Sequence, residues 1–599
     1  MSTAEEKDKE ANESNSSFGE RLVVDFDSVL KYVGSCGRYQ ILLVLMAYYV
    51  CLPCGMHQVG AVFLAAIPKY RCFIPGVDGN PLYANTSWDD IVKATTPGND
   101  GDYDTCKRYN YTWSNCTDGT FACHDGKDEP NTIACKKYVY DDSVYKSTVT
   151  TEWDLVCDRL IVGTSVTAIY YVGVLFSALI GGNIADLIGR CPTMLGGQMG
   201  LMVVGMGCAF SPTLAAFAAT RFALALFLMA SYVASFVYVM EITSGKWRTF
   251  VGINIQAAFA LGYMILSGLA YNWREWRELQ FVISLVSLPF ALMWIFMPES
   301  PRWLFSKGRD EKAKDITLTM AKRNGVDLPK DVWEMSSTTE SKDYGKIFSP
   351  IELFRRPKMR ILTFNVLFNW FVISLVYYGL SLNVGNLAGD DYVNNTLSGL
   401  VELIAFPIVI LTIDRFGRRI ILCISLIFGG LSCLGSTVAN VYAEESEALG
   451  TLGTVLALCG KLAVSGAFAI IYNYTAELYP TVVRSTAVGI GSMAARVGSV
   501  LTPYTLYLQY SVPWLTGTIF GILSLLAGGT SLLFPETMGV PMLTTLDEAE
   551  SFYVHRKYDG TCSYHQTLQS VDSNSNTDEV KCIGEDPKNT VIDSALTSL

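Results

Sequence analysis

Three ionisable side chains stand out within the apolar stretches of this 599-residue chain: Glu402 in Leu-Val-Glu-Leu-Ile, Lys461 in Cys-Gly-Lys-Leu-Ala, and Arg496 in Ala-Ala-Arg-Val-Gly. A charge inside an apolar span is costly, so each is a candidate for binding chemistry. A carboxylate set among aromatic faces holds an ammonium group by charge pairing and cation–π attraction. A guanidinium holds a carboxylate. The aromatics for such a cavity are present. Trp370 and Tyr377 are seven residues apart and share a helical face, and Tyr378, Tyr232, Phe236 and Phe468 lie in apolar runs. The plainer alternative is that Glu402 pairs with a basic residue and joins two helices. Nothing resembles a catalytic set. His57, His124, His555 and His565 are scattered, and no Ser/His/Asp group, metal cluster or nucleotide loop is visible. The expectation is therefore a binding protein that is not an enzyme and needs no cofactor or metal.

The elements that position these residues follow from composition. Half of the chain is hydrophobic and 17% is charged, too little charge for the surface of a soluble protein of this length. The apolar residues gather into runs of about twenty, each able to cross roughly 30 Å of hydrocarbon as a helix. The fold class is an all-α polytopic membrane protein. Twelve spans are predicted, at about 39–66, 160–182, 193–211, 213–240, 250–270, 278–297, 359–382, 395–413, 419–439, 450–476, 484–508 and 513–534. The segments divide into an N-terminal piece 1–38, a six-helix bundle 39–297 with a polar loop at 67–158, a basic loop 298–358, a second bundle 359–534, and a tail 535–599. The tail is polar, poor in aromatics and expected to be mostly disordered. No cleavable signal peptide is expected, and the first span reads as a retained anchor. The net charge of −11 is spread over loops and tails and argues against a nucleic-acid partner.

Positive charge sets the orientation. Lys246, Arg248, the segment from Arg302 to Arg360, Arg415, Arg418, Arg419 and Arg484 fall on one side, whereas the short loops opposite carry little beyond Arg274 and Arg277. The basic side is expected to be cytoplasmic, with both termini inside. The loop 67–158 is then outside, where its Cys72, Cys106, Cys116, Cys123, Cys135 and Cys157 read as a disulfide framework of open connectivity. Asn85, Asn110 and Asn115 in that loop have the form of glycosylation acceptors, and Asn473 matches but lies in an apolar run.

The chain also repeats itself. Asp186-Leu-Ile-Gly189-Arg190 returns as Asp414-Arg415-Phe-Gly417-Arg418. Glu241 and Arg248 return as Glu477 and Arg484, and Pro298-Glu299-Ser300 as Pro535-Glu536-Thr537, each after about 230–240 residues. Two similar halves suit alternating access to a central site. These charges, with Arg302, are expected to bond helix ends and to latch one conformation.

The repeated aspartate motifs are similar to the loop signature of the major facilitator superfamily, departing from it at Leu187 and Cys191. Within it the chain resembles solute carrier family 22, the organic cation, zwitterion and anion transporters. The resemblance covers about residues 25–550. It rests on the six-cysteine loop, Glu152-Trp-Asp-Leu-Val-Cys157, Pro298-Glu-Ser-Pro-Arg-Trp303 and Ala476-Glu-Leu-Tyr-Pro-Thr-Val-Val-Arg484. It implies twelve transmembrane helices in two six-helix pseudo-repeats. It also implies cavity-lining roles for Trp370, Tyr377 and Gln256, with His57 a weaker candidate. Glu402 fits the cation and zwitterion branches. Arg496 occupies the position where strict cation transporters resemble one another in carrying Asp, and where anion and carnitine-type members carry Arg.

The expected function is transport of small organic cations or zwitterions, such as carnitine-like or aminoacyl-amine compounds, across the plasma membrane. On that expectation Glu402→Gln abolishes cation uptake and leaves surface expression intact. An organic anion transporter centred on Arg496 and Lys461 is the alternative, and a non-transporting receptor or scaffold is an alternative of another class. The terminal Thr597-Ser598-Leu599 matches a peptide for a PDZ-type partner.

Overall fold

The computed structural model describes residues 22–24, 26–79, 83, 86–99, 102–110, 131–329, 332–335, 337–339, 351–443, 446–480, 482–538, 546 and 549–550. Cys116, Cys123, Asn85, Asn115 and the Thr597–Leu599 terminus lie outside them.

The first bundle consists of α1 (Arg38–Leu64), α2 (Leu160–Ile188), α3 (Arg190–Ala209), α4 (Leu214–Ile242), α5 (Lys246–Asn272) and α6 (Trp276–Phe296). The second consists of α7 (Pro357–Leu382), α8 (Asp391–Phe416), α9 (Arg418–Val441), α10 (Glu447–Leu478), α11 (Arg484–Tyr507) and α12 (Leu515–Ser531). Among the described residues nine of these helices are individually long and apolar enough to cross a membrane; α3, α11 and α12 are not. The α3 sequence is diluted by glycines and Gln198, α11 by Arg484, Arg496 and several Ser and Thr, and α12 is short at 17 residues. All three interleave with the nine and pack along them. Helix α1 is locally interrupted near Val50 and Gly60, and α6 breaks around Pro289, whose ring removes a helical donor.

The packing repeats as the sequence does. Helix α2 lies on α4, α3 on α4 and on α6, and α1 on α5; six helices later, α8 lies on α10, α9 on α10 and on α12, and α7 on α11. The two halves meet through α2 against α11 and α5 against α8, two contacts that exchange with each other under the same six-helix shift. This is a two-fold related pair of bundles with the seam running between them.

One physical device recurs at matching ends of the halves. Gly189 and Gly417 take left-handed φ of 117° and 84° between α2 and α3 and between α8 and α9. A Cβ at either position would collide with a carboxylate, that of Glu299 or of Glu536. Glu299 accepts from the backbone N–H groups of Arg190 (3.0 Å) and Cys191 (3.2 Å), and Glu536 from those of Arg418 (3.0 Å) and Arg419 (3.1 Å). Each carboxylate thus meets the positive end of a helix at its otherwise unsatisfied donors. The arginine side chains complete the cluster. Arg190 bonds Asp186 and Glu241, and Arg418 bonds Asp414 and Glu477. Tyr238 and Tyr474 donate to the carbonyls of Pro298 and Pro535. The Asp, Glu and Gly of the repeat are explained together: each cluster ties four helix ends within its own half.

Two pairings differ from expectation. Arg248 does not bind Glu241, which is taken by Arg190; Arg248 reaches the carboxylate of Asp27, on the short helix Phe26–Val33. Arg302 joins the same carboxylate at 3.3 Å. Arg415 is exposed, and it is Arg418 that fills the role of Arg190. Spacing within the motif could not separate these choices, because three arginines lie within five residues of Asp414.

Asp27 gives a pH prediction. Burial raises its carboxyl, but the hydrogen bond from Arg248 and the charges of Arg302, Arg248 and Lys31 outweigh this and hold it below the usual carboxylate range. A depressed folded pKa contributes stability above the unfolded value, about 3.9, that is lost as pH falls through the folded one. Asp27→Asn is therefore expected to lower the melting temperature at neutral pH. The gap to the unsubstituted protein should close below about pH 4. A gap independent of pH would mean that Asp27 does not stabilise the fold through its charge.

The polar loop is stapled by Cys72–Cys135 and Cys106–Cys157. Tyr70–Cys72 pairs antiparallel with Tyr138–Tyr140, and Lys107–Tyr109 with Thr132–Ala134, so the bridges join short strand pairs to the start of α2. Asn110 is exposed, as a glycan acceptor must be.

Candidate functional site

Helices α7, α8 and α10 bring Glu402 and Lys461 together. The Lys461 ammonium lies 2.6 Å from the Glu402 carboxylate, and both side chains are essentially inaccessible to solvent. Lys461 also donates to Ser381 Oγ and, at 3.4 Å, to the carbonyl of Tyr377. Its nitrogen sits 3.4 Å from the centroid of the Tyr377 ring and 5.7 Å from that of Tyr263. The Tyr263 and Tyr377 hydroxyls are 3.4 Å apart across the seam between α5 and α7. A carboxylate among aromatic rings was the arrangement expected to hold a ligand's ammonium; here the protein's own ammonium fills it. Glu402 pairs with Lys461 and not with Arg496. Its substitution is therefore no longer expected to leave surface expression intact, because it would strand a buried cation.

Arg496 stands differently. It is 5% exposed, and among the described residues it makes no ion pair. Its Nη1 donates to the Tyr378 hydroxyl at 3.3 Å, while Nε has no partner. Tyr378 touches Tyr377 (5.1 Å between centroids) on one side and Tyr171 of α2 (5.4 Å) on the other. Arg496 is thus a buried guanidinium surrounded by neutral phenols, a group that gains when a carboxylate arrives.

The aromatic wall is continuous. Trp370 packs edge-on against Tyr472 (4.4 Å) and Phe468 (6.2 Å), and its indole N–H donates to Thr475 at 2.9 Å. Phe468 meets Tyr377 at 5.3 Å. The structure therefore brings Glu402, Lys461, Tyr377, Phe468, Trp370 and Arg496 into one cluster built by α7, α8, α10 and α11. Tyr232 lies across in the first half, edge-on to Phe259 at 6.1 Å, and Phe236 packs near it. Gln256 is half-buried on α5. His57 is fully buried, and neither ring nitrogen has a partner.

Several members were not singled out from the sequence. Tyr472 is one helical turn beyond Phe468, Ser381 one turn beyond Tyr377, and Tyr263 two turns beyond Gln256, so helical spacing could have found them. Arg221 was passed over too. It lies in the second turn of α4, where a long basic side chain is expected to reach the membrane surface; instead it turns inward and is 4% exposed.

A cavity of about 170 Å³ lies outward of this cluster, on the side of the stapled loop. Arg221, Thr164 and Thr167 line it from the first half, and Asp391, Asn386 and Tyr507 from the second. The Tyr145 hydroxyl of the loop donates to Asp391 at 2.6 Å, and Tyr504 to Ser165 at 3.3 Å, so polar contacts span the seam around it.

Residues 132–547 match the family described as sugar (and other) transporter. A curated relative, the organic cation transporter protein of Drosophila melanogaster, is 33% identical over 88% of this chain and 95% of its own length. The human solute carrier family 22 member 16 is 32% identical over 88% and 92% respectively. The mouse organic cation/carnitine transporter 2 is 32% identical over 88% and 94%. Among solved structures, the inward-open xylose transporter of E. coli covers 86% of the chain and all of its own, at 16% identity and a TM-score of 0.56; that likeness is one of fold.

Proposed function

The chain belongs to the sugar (and other) transporter family of the major facilitator superfamily, among the solute carrier family 22 members, and from that premise we propose that it carries small zwitterions or organic cations by alternating access. It is a transporter and not an enzyme. The observation that carries the proposed substrate class is Arg496, buried and without a carboxylate partner among the described residues, in the same cluster as the Glu402–Lys461 pair.

The chemistry divides the ligand in two. Arg496 and Tyr378 take a carboxylate. The faces of Trp370, Phe468 and Tyr472 take the alkyl ammonium, which competes with Lys461 for Glu402 and Tyr377. A carnitine-like molecule satisfies both ends. The names of the Drosophila and mouse relatives, an organic cation transporter and an organic cation/carnitine transporter, support this class. Alternation uses the seam. The clusters at Gly189 and Gly417 keep four helix ends together in each half, so the halves move as units past each other at α2–α11 and α5–α8. We place the face with these clusters in the cytoplasm and the stapled loop outside the plasma membrane.

One observation favours a second reading. With Glu402 neutralised by Lys461, the uncompensated charge at the centre is that of Arg496, which suits an organic anion. That site would rest on Arg496 and not on Lys461. Uptake of carnitine, tetraethylammonium and an aromatic carboxylate into cells expressing the chain separates the two. Carnitine is expected to be taken up best and tetraethylammonium less well. Uptake of the aromatic carboxylate alone would replace this proposal with the anion reading.

A further inference from the structure

The outer cavity contains a second buried guanidinium that the central site does not use. Arg221 donates from Nη2 to the carbonyl of His57 at 3.4 Å and stacks over the Tyr170 ring at 4.3 Å, but its Nη1 has no partner. Among the described residues it makes no ion pair, although it is 4% exposed and lines the cavity. The carboxylate that lines the same cavity, Asp391, belongs to the other half and is engaged by the hydroxyl of Tyr145. The imidazole of His57, next to it, is buried with both nitrogens unpartnered. A buried cation with an unmet donor, on a residue that lines a cavity shared with the hydroxyl of Tyr507, is a place where a monovalent anion gains charge pairing.

The rings behind Arg221 lead inward. Tyr170 meets Tyr171 at 5.3 Å, Tyr171 meets Tyr378 at 5.4 Å, and Tyr378 accepts from Arg496 at 3.3 Å. Two buried guanidiniums are therefore joined by three tyrosines that cross from α2 to α7. Among the described residues neither guanidinium is met by a protein carboxylate.

We propose that Arg221 is a second anion site, in the outer cavity, that takes a monovalent anion: the carboxylate of an arriving ligand or a halide. Transfer onward to Arg496 rests on the reading of the central site given above; the anion site itself does not.

The test uses the full chain with Arg221→Gln and Arg221→Lys, with carnitine and tetraethylammonium as probes, in chloride or in gluconate. If the ligand's carboxylate is the occupant, Arg221→Gln raises the KM for carnitine about tenfold, changes that for tetraethylammonium far less, and Arg221→Lys recovers most of the loss. If a halide is the occupant, uptake of both probes by the unsubstituted protein falls in gluconate, and Arg221→Gln no longer responds to the exchange. Unchanged KM values with chloride sensitivity retained would overturn the site. So would equal loss of both probes that lysine does not restore. A chain that moved neither probe would sink the proposed function alone. The purified protein would still report on Arg221, because chloride or acetate should raise its melting temperature less in Arg221→Gln, and an equal rise in both would overturn the site.

Discussion

Lys461→Met alone is expected to remove most of the folded protein from the surface, and Glu402→Gln with Lys461→Met together to restore much of it. The pair is buried on α8 and α10, at 2.6 Å, and breaking one partner strands the other charge in an apolar interior. Such breaks cost about 3–5 kcal/mol, whereas replacing both partners by uncharged groups is often close to neutral. The effect is a large fraction of the total stability of a typical protein, about 5–15 kcal/mol. Lys461→Met and Glu402→Gln should each lower the melting temperature of the detergent-purified protein, and the double substitution should lower it less than either. Surface labelling should follow the same order. Additive losses would mean that the two charges do not share an interaction, and the assignment of Lys461 as the resident occupant of the Tyr377 face would fail.

Arg496→Ala is expected to spare the fold more than the transport of carnitine. Among the described residues the guanidinium has no carboxylate to strand, so its loss leaves a cavity and takes one hydrogen bond from Tyr378, which still has Gln58. A ligand carboxylate that loses a buried charged partner loses about 2–5 kcal/mol, or at least about thirtyfold in kcat/KM. Tetraethylammonium, with no carboxylate, should suffer less. Lysine at this position should recover only part of the loss, since it cannot present the planar fork of the guanidinium. Equal losses for the two substrates would return Arg496 to a structural role.

Much of this molecule was legible in its sequence. The apolar runs located the helix ends to within six residues, because each crossing must be about twenty residues long whatever its neighbours. The duplicated Asp, Gly and Glu signatures announced two equivalent halves. Glycine at 189 and 417 is dictated by a left-handed turn against Glu299 and Glu536, a local requirement that spacing preserves. Trp370 and Tyr377 came out on one wall because helical periodicity fixes a shared face, whereas Phe468 joins them from α10 only through helix packing. What spacing did not reveal was the choice of partner. Three charges in three apolar runs allow Glu402 to pair with Lys461 or with Arg496, and only the packing of α8 on α10 decides it. The same holds for Arg248, which repeats together with Glu241, close in sequence, and yet meets Asp27 from far along the chain. Arg221 was missed because the end of a helix usually lets a long basic side chain reach water, and the inward turn of its side chain is set by His57 and Tyr170 on other helices.

The isolation of Arg496 from any carboxylate among the described residues has an electrical side. A charge fixed in the protein experiences a different share of the transmembrane voltage when access switches from one side to the other. If that share changes by about a third, 100 mV shifts the balance between the two facing states by ~0.7 kcal/mol, about threefold. The Glu402–Lys461 pair, being neutral as a unit, contributes almost nothing to this shift. The empty carrier would then respond to voltage through its own arginine, and a bound anion, unlike a zwitterion, would mute that response. A ligand with no net charge could thus be carried at a rate set by the membrane potential, with the gating charge belonging to the protein rather than to its cargo.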